Sequence, residues 1–483
     1  MELDKDLQSR QQVRALVQAA KEAQKTLKRL EQEQIDRIVK AIADCGRAHA
    51  AELGRMAAEE TGFGNATDKE QKNLFASVQV YEAVADLKTV GILRRDEENR
   101  IWDVGVPVGV IAGIVPSTNP TSTILYKSII SLKSGNAIVF SPHPGAVRCS
   151  TRTAALVMEA AAHAGCPQGA ISCIGTPTME AVEELMRHED VKLILATGGY
   201  AMVHAAYSSG KPAIGVGAGN GPAYIHRSAD VRRAVADILR SKTFDNGTVC
   251  ASEQSVIVEE AMADEVRAEF RRQGAYFLDK EEAARIAGLL LRPNGTMNPK
   301  VVGKSAYAIA QMAGVTGVGQ GVKVLIAKET EAGPTRPYSR EKLCPVLAFF
   351  TEKDEDTILQ RVCEVLHLEG SGHTFAMHAQ DKAAIERFAR RVPVSRFLVN
   401  TPSALGGIGL TTNLFPALTL GCGAVGGSSS SNNIGPYDLL NIRRVAWGAR
   451  DRSGGGGHTN EEANVDEAFL NAVTEQILKK LRG

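Results

Sequence analysis

The chain has 483 residues, of which 44% are hydrophobic and 23% charged, a balance that excludes a wholly disordered chain and a fibrous repeat. Lys and Arg total 56 against 55 Asp and Glu, so the formal net charge is only +1. No global positive field exists to hold nucleic acid or an anionic membrane, and an aromatic content of 5% argues against a base-stacking surface. The length predicts two or three domains.

Neither the N-terminus nor the uncharged stretches predict export or membrane insertion. The first residues, MELDKDLQSRQQ, lack the apolar segment of a secretory signal, so a cytoplasmic protein is expected. Residues 104–126 carry no charge over a length that can span a bilayer, but their prolines and the polar run 117–123 predict strands and a loop. The stretch 397–437 is rich in Gly and Ser and is excluded as a span for the same reason.

The first half of the chain changes from helices to alternating strands and helices. Residues 9–60 predict helices because their apolar residues recur at helical spacing. From about residue 100 the sequence is β-branched and interrupted by Gly and Pro, which predicts strands. Further strands are predicted at 137–140, 170–175 and 191–199, with helices at 150–165 and 181–188. Such alternation favours a parallel α/β sheet.

A second alternation runs from about residue 230 to 420. Helices are predicted near 230–241, 260–273 and 380–391, and strands in SVIVEE, KVLIAKE and CPVLAFFTE. We therefore expect two doubly wound domains, with a ligand cleft at the carboxyl ends of the strands.

The C-terminal region has a different composition. Residues 451–463, DRSGGGGHTNEEA, are typical of a flexible linker. In the following 464–483, apolar residues recur every four positions, which predicts a short amphipathic helix. This helix docks either on its own subunit or a neighbouring one, or in a groove of another protein.

Cys250 has the most informative surroundings of the eight cysteines. No CxxC pair occurs, which argues against a zinc knuckle or a dithiol redox motif. In SKTFDNGTVCASEQSVIVEE a polar, glycine-containing loop leads into Cys250, and a strand follows. The setting favours an accessible nucleophilic thiol, although a buried spectator cysteine remains the alternative.

Six motifs together are more specific than the cysteine. They are GVIAGIVPSTNPTST, IVFSPHP, LILATGG, SSGKPAIGVGAGNGP, FDNGTVCASEQS and ALTLGCGAVGGSSSSNN. In this order they resemble the CoA-acylating branch of the aldehyde dehydrogenase superfamily, including the aldehyde dehydrogenase half of bifunctional aldehyde–alcohol dehydrogenases. The resemblance covers about residues 10–450.

This resemblance implies an α/β aldehyde dehydrogenase-like fold with two Rossmann-like domains and a small oligomerisation β-element. Residues 1–225 would bind NAD, and 226–420 would carry the catalytic thiol. Strands near 99–106 and 440–448 would form the oligomerisation element, and residues 421–440 would return to the first domain. A homo-oligomer, dimer or tetramer, is expected.

The resemblance also implies catalytic roles. Cys250 would attack the aldehyde to give a thiohemiacetal. Asn119 would hold the developing alkoxide together with the Cys250 N–H; from the residues alone, Asn119 can equally be a turn residue before Pro120. His373 would assist the CoA thiol or shape the site, or is a structural histidine.

The resemblance also implies which residues would bind the cofactor. Among residues that would surround NAD, Glu341 would hold the nicotinamide ribose unless it is a solvated surface glutamate. The other candidates are Ser141, His143, Thr197, Gly198, Gly199 and Gly217. Two departures from the family pattern are Val203, where many members have glycine, and the lack of a Lys-Pro at Ser141–His143, which leaves NAD versus NADP open. No metal is expected.

The departure that matters for the reaction is Val216. Hydrolytic relatives carry there the glutamate that activates water, and valine cannot act as a base. The thioester would then be released by coenzyme A, converting a short aliphatic aldehyde, propionaldehyde or acetaldehyde, to acyl-CoA. A hydrolytic enzyme and a non-catalytic cargo or scaffold protein are the alternatives. The linker and helix at 451–483 resemble an encapsulation peptide, which would bind microcompartment shell proteins.

Overall fold

The computed structural model describes residues 4–448 and Thr474. The predicted linker 451–463 and, apart from Thr474, the predicted helix 464–483 lie outside the described residues. The strands are β1 (Gly91–Asp96), β2 (Ile101–Pro107), β3 (Val110–Val115), β4 (Ala137–Pro142), β5 (Ile171–Cys173), β6 (Val191–Thr197), β7 (Ala213–Val216), β8 (Gly221–Ile225), β9 (Glu253–Glu259), β10 (Ala275–Phe277), β11 (Val324–Glu329), β12 (Val346–Glu352), β13 (Gly372–His378), β14 (Val394–Val399) and β15 (Leu440–Ala446). The helices are α1 (Lys5–Leu27), α2 (Gln32–Ala48), α3 (Ala50–Thr61), α4 (Ala66–Leu74), α5 (Val80–Val84), α6 (Pro120–Lys133), α7 (Val147–His163), α8 (Met179–Arg187), α9 (Tyr200–Tyr207), α10 (Val231–Thr243), α11 (Ala263–Arg272), α12 (Lys280–Leu290), α13 (Ala306–Met312), α14 (Glu355–Val365), α15 (Lys382–Ala389) and α16 (Ser403–Gly407).

The first domain is built on a five-stranded parallel sheet in the order β5-β4-β3-β6-β7. Chain order reverses between β3 and β6, which defines the switch point of a doubly wound sheet. Ile111, Val139 and Ile194 in the central strands are 0% exposed because helices cover both faces. The predicted α/β class and the predicted strand–helix alternation are confirmed here.

The N-terminal helices cover this sheet through one apolar face each. In α1, Val13, Val17 and Leu27 are at most 1% exposed. Each such side chain stabilises the fold by about 1.5–3 kcal/mol, more than the differences in helix propensity among ordinary residues. Helix α2 begins with a capping box in which Glu31 and Gln34 satisfy each other's backbone N–H groups. The predicted helices of residues 9–60 are thereby confirmed.

Helix α6 corrects the prediction of strands and a loop for 104–126, because from Pro120 onward this stretch is helical. Pro120 occupies the first helical position, where a missing N–H costs nothing, and Asn119 is the N-cap. Every residue of α6 is buried, which explains its lack of amphipathic periodicity. The ammonium of the buried Lys127 donates to Ile114 O at 2.7 Å and Leu195 O at 2.8 Å, and so links β3 to β6 near their carboxyl ends.

A seven-stranded parallel sheet in the order β10-β11-β12-β9-β8-β13-β14 forms the second domain. It includes β8, which pairs with both β9 and β13. The predicted domain boundary at 225/226 is therefore too late, since residues 221–225 already belong to the second sheet. Turn residues 217–220 make the crossing between the sheets, and no change in hydrophobic pattern accompanies it.

The third sheet is small and antiparallel, in the order β1-β2-β15. Its strands β2 and β15 coincide with the predicted pair near 99–106 and 440–448, and Ile442 lies opposite Gly105. Residues 421–440 return to the first domain, where Ile434 and Leu439 are fully buried. Among the described residues, no helix has both the length and the apolar character needed to cross a membrane.

Candidate active site

The carboxyl edge of the five-stranded sheet collects the residues predicted to hold a dinucleotide. Ser141 and His143 lie at the end of β4, Thr197 ends β6, and Gly217 follows β7. Thr197 lies directly opposite Val216 in the register of β6 and β7. Since parallel strands end at one edge, these side chains share that edge, as the resemblance implied.

The glycines at this edge leave room for a ligand. A Cβ atom built on Gly199 or Gly217 would meet no heavy atom within 4 Å. Gly199 is the N-cap of α9, and the first N–H groups of a helix have no partner within the helix. Ser141 is 2% exposed and its Oγ has no hydrogen-bond partner among the described residues, whereas His143 is exposed and accepts the Gly145 N–H at 3.0 Å. Open backbone at a helix N-terminus, on the same sheet edge as an unsatisfied hydroxyl, fits the pyrophosphate and ribose of a dinucleotide.

Cys250 follows a strained turn at the amino end of β9. The turn Phe244–Gly247 places Asp245 and Asn246 at φ values of 49° and 52°, in the left-handed region that side chains other than glycine rarely adopt. The Cys250 side chain packs against the hydrophobic core of the first domain. Burial, reinforced by the neighbouring Glu341 carboxylate, raises the pKa of the Cys250 thiol to about 12. The resting thiol is thus protonated, and Cys250 is half-buried.

Gly219 joins three of the predicted site residues. A Cβ atom at this position would lie 2.1 Å from Cys250 O and 3.2 Å from the Cε1 atom of His373. Its backbone N–H donates to Glu341 Oε1 at 2.8 Å. The backbone of Gly219 is therefore too close to its neighbours to carry a side chain. It lies where the loop that carries Cys250 (the thiol loop), His373 and Glu341 meet, at the amino edge of the seven-stranded sheet.

Asn119 reaches the same loop from the other domain. As N-cap of α6 it projects from the end of the segment after β3, and its Nδ2 donates to Thr248 O at 3.0 Å. Thr248 lies two residues before Cys250. Asn119 thus occupies the turn before Pro120, and its side chain also contacts the loop that carries Cys250.

His373 and Glu341 both have strongly altered proton affinities. His373 is fully buried; its Nδ1 lies 2.9 Å from Thr374 Oγ1, and Nε2 has no partner among the described residues. Burial, with a contribution from the Arg396 cation, lowers the pKa of His373 to about 3, so the imidazole is neutral. Burial raises the pKa of Glu341 to about 8. Glu341 is half-buried and accepts the Gly219 N–H, so it is not a fully solvated surface glutamate.

Val216 lies 3% exposed at the end of β7, in the hydrophobic cluster against which Cys250 packs. A valine side chain, which carries no ionisable group, therefore occupies this position. In the described part of the chain, no group of His, Cys, Asp and Glu side chains is arranged to hold a metal ion.

Two charged features of the site were missed from the sequence. Arg396 in β14 is 2% exposed and donates to Gly421 O at 2.7 Å. No carboxylate pairs with it among residues 4–448, and the thiols Cys250 and Cys422 lie within its electrostatic reach. Burial lowers the pKa of the Arg396 guanidinium. Nothing in SRFLVN distinguishes this arginine from a surface residue.

The second missed feature is a buried ion-pair cluster beneath the thiol loop. Lys69 and Lys72, one helical turn apart on α4, both contact Asp245 Oδ2, at 2.9 and 2.6 Å. Burial, opposed by the Asp245 carboxylate, lowers the pKa of Lys72 to about 8. The sequence ATDKEQKNL is mostly polar and contains no sign of these contacts.

The chain is similar in sequence to known proteins. Residues 5–277 match the model of the aldehyde dehydrogenase family. The bifunctional aldehyde-alcohol dehydrogenase AdhE of Escherichia coli (strain K12) is 45% identical over 440 residues, covering 90% of this chain and 49% of that protein. The chain thus spans about half the length of that relative. A succinate-semialdehyde dehydrogenase (acetylating) of Clostridium kluyveri is 35% identical, with 94% of this chain and 97% of that protein covered.

Solved structures extend the likeness to the whole described fold. An acetylating aldehyde dehydrogenase of Geobacillus thermoglucosidasius matches with a TM-score of 0.92 and 51% identity, covering 93% of this chain and 99% of that one. A propionaldehyde dehydrogenase from the Clostridium phytofermentans fucose utilisation bacterial microcompartment matches with a TM-score of 0.81 and 31% identity, covering 90% and 97%. A Rhodopseudomonas palustris propionaldehyde dehydrogenase, solved with bound CoA and an acylated cysteine, has a TM-score of 0.81 and 29% identity, covering 90% and 97%. The chain belongs to the aldehyde dehydrogenase family.

Proposed function

We propose that the chain is a CoA-acylating aldehyde dehydrogenase that converts a short aliphatic aldehyde, CoA and NAD+ to acyl-CoA and NADH, reversibly. One observation carries the proposal. Around Gly219 the loop of Cys250 meets the neutral His373, while the neighbouring strand ends in Val216 where a hydrolytic enzyme needs a carboxylate. Propionaldehyde and acetaldehyde are the proposed substrates, in line with the propionaldehyde dehydrogenases among the structural neighbours.

In the first step the S–H bond of Cys250 breaks, its proton passes to solvent, and the sulfur adds to the aldehyde carbon. A C–S bond forms, the carbonyl π bond breaks, and negative charge develops on the oxygen. The Asn119 amide, together with the Cys250 backbone N–H, stabilises that oxygen. Burial and the Glu341 carboxylate raise the pKa of the thiol, and the buried Arg396 cation offsets that rise only in part.

Ser141, His143, Thr197, Gly198, Gly199 and Gly217 would hold the dinucleotide, and Glu341 the ribose next to the nicotinamide. The nicotinamide held there would supply the acceptor for the hydride that leaves the carbon attached to Cys250, and the enzyme would keep the acyl group as a thioester on Cys250. The open space at Gly199 and Gly217 and the unsatisfied Ser141 hydroxyl support this placement.

Release of the product depends on which nucleophile reaches the thioester. The CoA thiol attacks the acyl carbon, the new C–S bond forms, and Cys250 leaves as thiolate. His373 Nε2, neutral and without a protein partner, is placed to accept the thiol proton. Exchange of one thioester for another is nearly isoenergetic, so the reaction runs in both directions.

The proposal is tested by following the enzyme-bound thioester. With propionaldehyde and NAD+ but no CoA, we expect one burst of NADH per active site and a Cys250-linked propionyl group in the intact-protein mass spectrum. Adding CoA should remove the adduct and restart turnover. Cys250→Ala should show neither burst nor adduct.

The two alternatives give different results in the same experiment. A hydrolytic enzyme continues to make NADH without CoA and accumulates no adduct. A cargo or scaffold protein of this fold makes no NADH under any condition. Either result would overturn the proposal.

We also propose that the sheet of β1, β2 and β15 joins subunits in a homo-oligomer. Strand β15 lies at its edge, and Ile442, Val445 and Trp447 are between 38% and 43% exposed there. An exposed edge with large apolar side chains favours pairing with another subunit. Sedimentation velocity of the wild type and an Ile442→Lys/Val445→Lys variant tests this; an unchanged mass would contradict it.

We further propose that residues 451–483 direct the enzyme into a bacterial microcompartment. The linker-like composition and the predicted amphipathic helix support this, as does the microcompartment source of one structural neighbour. Deleting 451–483 should abolish co-sedimentation with shell proteins while leaving turnover unchanged. Unchanged co-sedimentation would contradict the proposal.

A further inference from the structure

The ion-pair cluster of Lys69, Lys72 and Asp245 lies outside the residues used in the mechanism above. All three side chains are buried, and Asp245 belongs to the strained turn that leads to Cys250. The Asp245 carboxylate also accepts the backbone N–H of Asn65 at 2.9 Å. The cluster therefore pins the turn to the segment that begins α4.

Lys72 has contacts that Lys69 lacks. Its Nζ lies 2.6 Å from Asp245 Oδ2, 2.6 Å from Asn119 Oδ1 and 3.1 Å from Thr248 Oγ1. These three acceptors match the three N–H groups of an ammonium. Lys69 instead donates to the backbone oxygen of Thr118 at 2.8 Å. Of the two lysines, Lys72 is thus the one bound to the Asn119 side chain.

This contact fixes the orientation of the Asn119 amide. A lysine can only donate, so the amide oxygen must face Lys72 and the NH2 group must face the thiol loop. There one N–H donates to Thr248 O at 3.0 Å, and the other has only a longer contact, 3.3 Å, to Thr118 Oγ1. A charged donor at the amide oxygen also polarises the amide and makes its N–H a better donor.

The packing of α4 supports the same arrangement. Asn73, next to Lys72, accepts a hydrogen bond from Thr121 Oγ1 at 2.8 Å. Adjacent residues of α4 therefore hold both the N-cap of α6 and a residue of its first turn. Directly after α4 the helix continues as a π-helical turn, Phe75–Gln79, a local distortion that is frequent at functional sites.

We propose that Lys72 is a positioning residue of the oxyanion hole: it orients and polarises the Asn119 amide toward the alkoxide that forms on Cys250. The inference rests on the proposed function, because it assigns Lys72 a role through Asn119. The Asp245 carboxylate, which also binds Lys69, holds the Lys72 ammonium in place, and Asp68 Oδ2 accepts the backbone N–H of Asp245 at 2.8 Å.

A double-mutant cycle in the full-length enzyme tests the proposal. Turnover with propionaldehyde, NAD+ and CoA is measured for Lys72→Met, Asn119→Ala and the double variant. Asn119→Ala should lower kcat about 10²–10³-fold, as the loss of one oxyanion donor does elsewhere. Lys72→Met should lower kcat at least about tenfold in the wild-type background, with KM for the aldehyde nearly unchanged, and should have no further effect when Asn119 is Ala.

Lys69→Met is the matched control, because it breaks an ion pair to the same carboxylate without touching the Asn119 side chain. Lys69→Met should change kcat by the same factor in the wild-type and the Asn119→Ala background. Equal losses from Lys72→Met in both backgrounds would mean a merely structural lysine and would overturn the proposal. An unchanged kcat for Asn119→Ala would mean that Asn119 does not stabilise the alkoxide, and the proposed function would then fail at this step. The cycle distinguishes that result from a failure of the Lys72 proposal alone.

Folding of each variant is checked by near-ultraviolet circular dichroism. Should Lys72→Met fail to fold, Lys72→Arg replaces it in the cycle, since a guanidinium keeps a charged donor but changes its position. Non-additivity with Asn119→Ala then supports the proposal, and additivity overturns it.

Discussion

The two sheet edges that meet at the candidate site are built differently. The carboxyl edge of the five-stranded sheet is open, and a side chain added at Gly199 or Gly217 would touch nothing within 4 Å. The amino edge of the seven-stranded sheet is tightly packed, so that one Cβ on Gly219 would collide with the Cys250 backbone. The open edge leaves room for a ligand, whereas the packed edge holds side chains whose proton affinities are shifted by burial.

From this difference in packing, we expect the largest loss of activity and stability from a substitution at Gly219. Gly219→Ala should lower kcat about a hundredfold, because the methyl group displaces the Cys250 backbone and the His373 ring. Thermal unfolding should show a lower Tm than in the wild type. Gly217→Ala is the control for stability and should leave Tm unchanged, and equal Tm values for both variants would contradict the described packing.

A smaller effect is expected on the open edge, at Gly199. Gly199→Ala adds a methyl group that meets no protein atom, so Tm should not change. If the pyrophosphate lies against this glycine, KM for NAD+ should rise about tenfold while kcat changes little, because the lost contact is made equally in ground and transition states. An unchanged KM for NAD+ would place the dinucleotide elsewhere.

Alkylation of Cys250 tests the electrostatics of the packed edge. Because the pKa of the thiol is raised to about 12, the thiolate fraction grows with pH throughout the accessible range. Iodoacetamide should label Cys250 about tenfold faster for each pH unit in the ligand-free enzyme. Labelling is followed by peptide mass spectrometry, and a plateau near neutral pH would contradict the burial of the thiol.

The smallest effect concerns stability in acid. His373 has a pKa of about 3 in the folded protein against an ordinary value of 6.5, so the unfolded chain binds more protons between these values. Stability is therefore lost as pH falls below about 6.5, at a rate of up to about 1.4 kcal/mol per pH unit for this group. His373→Gln should weaken that dependence in urea unfolding measured at successive pH values.

His378, at the other end of the same strand, provides the control for this effect. Burial lowers its pKa to about 4, so His378→Gln should weaken the acid dependence in a similar way. It lies away from Cys250 and should keep the wild-type kcat, whereas His373→Gln should not. Equal kcat values for the two variants would argue for a purely structural His373.

Local sequence was sufficient to predict the N-terminal helices and the alternation of strands and helices. The periodicity of residues 9–60 and the strand–helix alternation depend on near neighbours, and the same regular patterns form the observed sheet and helices. The ends of parallel strands must share an edge, so the cofactor candidates could also be placed. The helical start at Pro120 was missed because α6 is buried on all sides and lacks a polar face.

Contacts between distant residues could not be predicted. Lys72 and Asp245 are 173 positions apart, and nothing in the polar sequence of α4 distinguishes a buried lysine from a solvated one. Arg396 is equally unmarked within its strand. The predicted domain boundary was too late because the sequence of a strand does not show which sheet the strand joins. Only the pairing of β8 with β9 and β13 assigns β8 to the second domain.

The most direct test of the account is the rate of NADH formation from propionaldehyde and NAD+, with and without CoA, for the wild type and Cys250→Ala. The account predicts steady turnover that requires CoA and disappears in the variant. Steady turnover of the wild type without CoA would mean that another group activates water, and it would contradict the role given to Val216.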